Sequence, residues 1–295
     1  MIFKAKETAL NLWDRAKKHL SSTTSLRIRT NGTVAVTVLF CLVVFAALAQ
    51  AAQTYVIAHF PYGGGWSTQL WFTNSGSTTA NVEVQWFSQA GTATPVPLQG
   101  QGTQSTQQFA LSPNSTQVVG ADVTQRNATG PSGLQVTWAT ATSSAPVNVF
   151  SLFDYAPSSV ATITPASQLV TSVGTQSVAP ATSFRFPVAE FGQVGLPKFD
   201  AGIAVANPNG TSTILTLKLL SASGSIVGTI QRTLPANGQA TVILSDPTAF
   251  LSVLDPTSMF LGSLAVCATQ PVGMVAIGVE GTQYFTTAVT NDPCP

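Results

Sequence analysis

The sequence predicts an all-β protein: two tandem antiparallel β-sandwiches following an N-terminal signal or transmembrane helix. Three observations carry this. Past residue 52 the apolar residues recur with period 2, in short runs dominated by Val, Ile and Thr and punctuated by Pro and Gly. That is the pattern of strands with one buried face, and no window after the leader has helical periodicity. The same pattern returns once at a fixed distance along the chain, so the body is a duplication. A basic leader followed by an apolar run opens the chain, in the order of an export signal. The resulting division is 1–51 signal peptide or signal-anchor helix, 52–156 first sandwich, 157–183 Ser/Thr/Pro-rich linker, part of which is open to pairing as an edge strand, and 184–295 second sandwich.

The leader is read from its charge. Lys4, Lys6, Arg15, Lys17, Lys18, Arg27 and Arg29 outnumber Glu7 and Asp14 ahead of Val34. Val34 to Ala49 is apolar apart from Thr37, and both Ala47-Leu48-Ala49 and Ala49-Gln50-Ala51 offer small-x-small cleavage sites. Extended to Ala52, the run nears the roughly 20 residues that cross a bilayer. It is therefore either cleaved or kept as an anchor with its basic side in the cytoplasm. Cys41 follows Phe40 rather than a small residue, which argues against lipidation. Both outcomes place the body outside the cytoplasm, secreted or at the cell surface or periplasm, with membrane contact only through 34–52.

The duplication is visible residue by residue. Residues 66–92 align without a gap on 199–225, at an offset of 133. The identities are Asn74/Asn207, Thr78/Thr211, Ser88/Ser221 and Gly91/Gly224, and the apolar alternation is shared. Leu70 and Phe72 fall on Ile203 and Val205; Val82, Val84 and Trp86 fall on Leu215, Leu217 and Leu219. Asn74-Ser75-Gly76 and Asn207-Pro208-Asn209-Gly210 supply turn chemistry between the paired strands. Further on, Leu111-Ser112-Pro113-Asn114 matches Leu234-Pro235-Ala236-Asn237, and Pro146-Val147 matches Pro271-Val272. The first copy carries an extra Gln/Thr/Gly-rich stretch near Gln99–Gln108, expected as a long exposed loop. Around Pro247–Leu254 a short helical turn is expected.

Phe60-Pro61, Gly63–Trp66, Asn74, Gly91, Leu234-Pro235, Gly262 and Pro271-Val272 together resemble the tandem immunoglobulin-like β-sandwich repeats of exported bacterial proteins. The resemblance covers most of 55–290. It implies an immunoglobulin-like fold and an extracytoplasmic location, and it carries over no functional residue. The second copy departs from it with Leu196-Pro197-Lys198-Phe199 in place of Gly63-Gly64-Gly65-Trp66.

Composition narrows the chemistry. Charged residues are 8% of the chain against 44% hydrophobic, far below the roughly 25% charged share of ordinary domains. From residue 50 onward five bases face nine acids, a net of −4, so no basic surface awaits nucleic acid. That region holds one histidine, His59. No nucleophile elbow, His/Cys cluster or Asp-rich calcium loop accompanies it. Gly63-Gly64-Gly65 lacks the Lys-Ser/Thr of a phosphate loop. No catalytic, metal or cofactor site is expected. Asn-x-Ser/Thr triplets start at Asn31, Asn114, Asn127 and Asn209, relevant only in a glycosylating host.

Two groups of residues remain as candidates. Leu70 and Phe72 take the core side of their strand, so Trp71 faces outward, near Tyr62 and Trp66. These three aromatics are candidates to stack on a sugar ring or a partner. Cys267 faces outward by the same alternation, and Cys294 lies in the tail. In an oxidising compartment the pair either bridges, closing a loop of about 28 residues, or stays as two thiols. The leading functional expectation is an exported non-catalytic module that binds a glycan or another envelope protein. The alternatives are an enzyme or accessory domain acting on extracellular polysaccharide, and a structural subunit of an envelope assembly.

Overall fold

A computed structural model describes residues 52–126, 133–156, 171–177, 179–191, 199–254, 259–280, 283–286 and 289–295. The expected signal segment, the triplets at Asn31 and Asn127, and 157–170 lie outside the described residues. Among the described residues no helix is long and apolar enough to cross a membrane. The body from Ala51 to Pro295 forms one compact unit.

The strands of the first half are β1 Gln53–Tyr62, β2 Trp66–Asn74, β3 Ala80–Ser88, β4 Val96–Leu98, β5 Gly102–Gln104, β6 Thr106–Leu111, β7 Ser115–Gly120, β8 Gln135–Ser143, β9 Asn148–Tyr155 and β10 Thr171–Gln176. Those of the second half are β11 Ala181–Phe191, β12 Phe199–Ala206, β13 Thr213–Ser221, β14 Ile226–Leu234, β15 Gln239–Ile243, β16 Met259–Glu280 and β17 Gln283–Thr286. All pairings are antiparallel.

The first half makes two four-stranded sheets, β1-β8-β3-β6 and β10-β9-β2-β7. They face each other across one core that takes Phe60, Val82, Val84, Trp86 and Ala139 from one sheet and Leu70, Phe72, Val119 and Val149 from the other. The second half repeats the plan with its two sheets joined through β16. The first part of β16 lies between β11 and β13; its last eight residues pair with β12, and the final four of these also with β17. Pro271 sits where β16 passes from one set of partners to the other, and Pro146 sits in the break between β8 and β9. Proline has no N–H to give a ladder, so it falls where the strand changes sheets.

The shared residues of the two copies do the same work twice. Asn74 and Asn207 are both buried. Asn74 Nδ2 donates to the carbonyls of Thr78 and Leu111 at 2.8 and 3.0 Å, and its Oδ1 accepts from Gly76 N. Asn207 Nδ2 donates to the carbonyls of Thr211 and Pro235, both at 2.8 Å, and its Oδ1 accepts from Asn209 N. Each amide thus ties the β2–β3 or β12–β13 turn to the strand end across the sandwich. Asn114 and Asn237 both hold positive φ, 56° and 53°, a conformation asparagine tolerates better than most residues. Gly91 and Gly224, at φ 89° and 82°, close the same turn by donating to Ser88 O and Ser221 O.

One stretch differs from the sequence expectation. The Gln99–Gln108 region is not a long loop. It holds the turn and second strand of the β4–β5 hairpin and the start of β6, and Val96 and Leu98 of β4 bury their side chains and anchor the hairpin to the core. Gln99 N donates to Gly120 O and Asp122 N to Pro97 O, which fixes the hairpin beside β7. Of the Ser/Thr/Pro-rich 157–183, Thr171–Gln176 pairs with β9 as an edge strand with Val173 buried, and β11 begins at Ala181. One inward apolar residue there outweighs the linker-like composition. Around Pro247–Leu254 the chain makes successive turns, with Leu254 N donating to Phe250 O.

The two sandwiches pack together. Val56, Ala58, Phe87 and Trp138, on the outer face of the β1-β8-β3 sheet, meet Ala204, Ala206 and Val275 of the second copy. Trp138 is fully buried, stacks on Phe87 at 4.7 Å, and donates Nε1–H to Asn237 O at 3.0 Å. Gln239 adds its N–H to Gln89 O and its side-chain amide to Ala58 O.

The tail closes another face. Thr290 and Arg185 exchange backbone hydrogen bonds of 2.8 and 2.9 Å, Cys294 is disulfide-bonded to Cys267, and Lys218 Nζ donates to the oxygen of Pro295. Ala265 lies between Arg185 and Lys218 in the ladder with outward parity, yet it is only 2% exposed. On the chain-entropy account such a bridge contributes roughly 3–4 kcal/mol.

Asn207→Ala removes a buried amide that bonds the Thr211 carbonyl and the Asn209 N–H, while Pro235 O keeps its bond from Gly238 N. Urea unfolding should lose about 2–3 kcal/mol. A loss within about 0.5 kcal/mol would mean that the turn holds without the amide.

Candidate ligand-binding face

Trp71 lies mid-strand in β2. Its ladder partners are Val118 in β7 and Phe150 in β9. All three side chains take the outward parity, and they are 39%, 42% and 40% exposed. They form one row across three adjacent strands, about 10 Å of apolar surface given normal strand spacing. The tip of the Phe150 ring reaches over Gly174 in β10, where a Cβ would collide with it. Above the row Gln69 stands between Gly120 and the half-buried Leu152, and below it Thr73 is hydrogen-bonded to Thr116 Oγ1 at 3.0 Å.

The row is open because of which copy it belongs to. Ladder equivalence puts Trp71, Val118 and Phe150 on Ala204, Thr241 and Val275 of the second copy. Ala204 and Val275 are buried against the first sandwich. The same sheet face is thus an internal interface in one copy and free in the other.

Beside Trp71 the β4–β5 hairpin walls a hollow of about 270 Å³. Gln69, Gln99, Gln101 and Gln107 line it together with Trp71 and Val118. Gln107 is only 6% exposed, and among the described residues its Oε1 has no hydrogen-bond partner. Among the described residues no charged side chain lines this hollow.

Tyr62 and Trp66 are placed elsewhere. Tyr62 packs edge-on against Phe60 at the margin of the first core, and burial pushes its hydroxyl pKa up. Trp66 lies against Tyr155 with ring centres 5.0 Å apart, and it lines a separate cleft between the sandwiches. The three candidate aromatics therefore do not form one platform. Phe150 and Val118 join Trp71 instead, brought beside it by strand order, which local alternation does not reveal.

The second cleft, about 250 Å³, is apolar, with Phe153, Val173, Ile203 and Ile277 among its walls. His59 borders it, edge-on to Phe153 at 5.5 Å, with Nδ1 shut off from solvent and unpartnered. Burial pulls its pKa from about 6.5 down to about 4, so the ring is neutral at pH 7. Among the described residues no side chain hydrogen-bonds this Nδ1, and no three His, Cys, Asp or Glu side chains converge. Comparison with protein-family models and with curated proteins returns no match, so the functional reading rests on the geometry and the sequence.

His59 makes stability fall with acid. Between pH 6.5 and pH 4 the unfolded chain takes up a proton that the folded chain refuses, so folding weakens as pH drops through that window, by up to about 3 kcal/mol. His59→Phe should flatten the urea-stability slope over this window relative to the parent protein. Equal slopes would place the imidazole in contact with water.

Proposed function

We propose that the protein is an exported, non-catalytic pair of immunoglobulin-like repeats that binds a glycan on the outer face of its first sandwich. The observation that carries this reading is Trp71, held outward mid-sheet in a row with Phe150 and Val118 and bordered by carboxamide side chains. An aromatic face offers large apolar contact to the C–H face of a sugar, and amides offer donors and acceptors to its hydroxyls. Rigid strands hold the platform, so little side-chain entropy is lost on binding. The basic leader with its apolar run and the Cys267–Cys294 bridge favour an extracytoplasmic setting.

A second reading has one observation behind it. The equivalent face of the second sandwich is covered by protein, so the Trp71 row could be covered by another envelope protein in the same way. The two readings diverge in one experiment. For a glycan platform, Trp71→Ala lowers affinity for an immobilised polysaccharide by at least about tenfold, with unfolding free energy within about 0.5 kcal/mol of the parent. Binding unchanged by this substitution, together with self-association or capture of a purified envelope protein that it abolishes, would favour the protein partner.

A further inference from the structure

We infer that the hollow beside Trp71 is a subsite for one neutral pyranose unit, with Gln107 Oε1 accepting a hydrogen bond from a sugar hydroxyl. This rests on the glycan reading of the Trp71 face.

The decisive residue is Gln107. In the β3–β6 ladder it stands opposite Val84, on the core side of the sheet. The equivalent position of the second copy, opposite Leu217, is Ile230, which packs against the second core. One repeat therefore places a branched aliphatic residue where the other places an amide. The amide brings a cost: a buried carbonyl oxygen without a donor costs about 1–3 kcal/mol. Gln107 lines the hollow; its Oε1 is sealed from water in this conformation, so a hydroxyl reaches it through a turn of the Gln107 side chain. A hydroxyl entering the hollow would satisfy it, which an apolar or purely accepting ligand could not do.

The surrounding chemistry selects the ligand class. Gln69, Gln99 and Gln101 add three carboxamides, each with two N–H donors and one carbonyl acceptor. Such groups suit vicinal hydroxyls, which both donate and accept. A uronate or sulfated sugar would bring an anion into a hollow with no cation to meet it, and burying an unpaired charge is strongly unfavourable. The volume, about 270 Å³, lies below the roughly 300–1,000 Å³ of clefts that enclose drug-sized ligands, so it suits a single ring. The hairpin that walls it has no counterpart in the second copy, where β13 leads directly to β14. Both departures of the first repeat from the second, the inserted hairpin and the inward glutamine, meet at this hollow.

Affinity of the folded, oxidised body is measured by calorimetry for cellohexaose, mannohexaose, xylohexaose and hexagalacturonate, with the parent protein, Trp71→Ala, Gln107→Ile and Gln107→Met. The inference expects at least one neutral hexaose to bind and hexagalacturonate not to bind. It expects both Gln107 variants to lose about tenfold or more with no drop in melting temperature, since an aliphatic residue suits this core position. If Trp71→Ala abolishes binding while both Gln107 variants bind as the parent does, the subsite falls and the platform stands. Equal binding of hexagalacturonate overturns the neutral class. If none of the neutral hexaoses binds the parent protein, the platform reading itself falls and takes the subsite with it.

Discussion

The burial of Trp138 between the two sandwiches sets the rest of the molecule. Its ring stacks on Phe87, its indole N–H reaches Asn237 O, and Ala204, Ala206 and Val275 of the second copy complete the cluster. Asn237 can present that carbonyl because its turn holds a left-handed residue, and Gly91 clears the approach of Ala236 O, where a Cβ would sit 2.1 Å away. A fully buried aromatic that is also hydrogen-bonded fixes orientation as well as affinity. The consequence is asymmetric. Two repeats with the same strand order present different faces to solvent, because the second spends one face of its β12 sheet on the first.

Where a face is spent, its side chains are small: Ala204 and Val275 allow close approach of the neighbouring sheet. Where the same face stays open, the chain places Trp71 and Phe150 and adds a hairpin. The second copy's other outer face is partly closed by the tail, through Cys294, Thr290 and Lys218. A large apolar row left in water is unfavourable for a soluble domain unless something uses it. Gln107 carries the same message inside the sandwich, where a well-packed aliphatic residue would stabilise more. Functional sites are where locally consistent sequence rules are expected to fail.

Much of the architecture was legible from particular residues. The all-β class followed from alternation such as Leu70 and Phe72 or Leu215, Leu217 and Leu219. The duplication followed from Asn74/Asn207 and Gly91/Gly224, whose shared hydrogen bonds and positive φ give the physical reason for their identity. The outward side of Trp71 was legible too, since parity is local. Its neighbours were not, because register across β2, β7 and β9 is a tertiary property. The hairpin was hidden by its composition of Gln, Thr and Gly, with only Val96 and Leu98 to betray a buried edge. The edge strand β10 was legible only as an option within 157–183, because Ser and Thr dominate its composition. Trp138 gave no signal of an inter-sandwich contact, since an outward tryptophan reads alike whether it meets water, a ligand or another domain.

Hydroxyl-radical footprinting of the folded monomer tests the central asymmetry most directly. The account predicts rapid oxidation of Trp71 and Phe150, slowed by a bound neutral oligosaccharide, and no modification of Trp138 or Met274 with or without it, since both are buried. Oxidation of Trp138 as fast as that of Trp71 would contradict the packing of the two sandwiches. A Trp71 shielded in the free monomer would contradict the open face on which the functional reading stands.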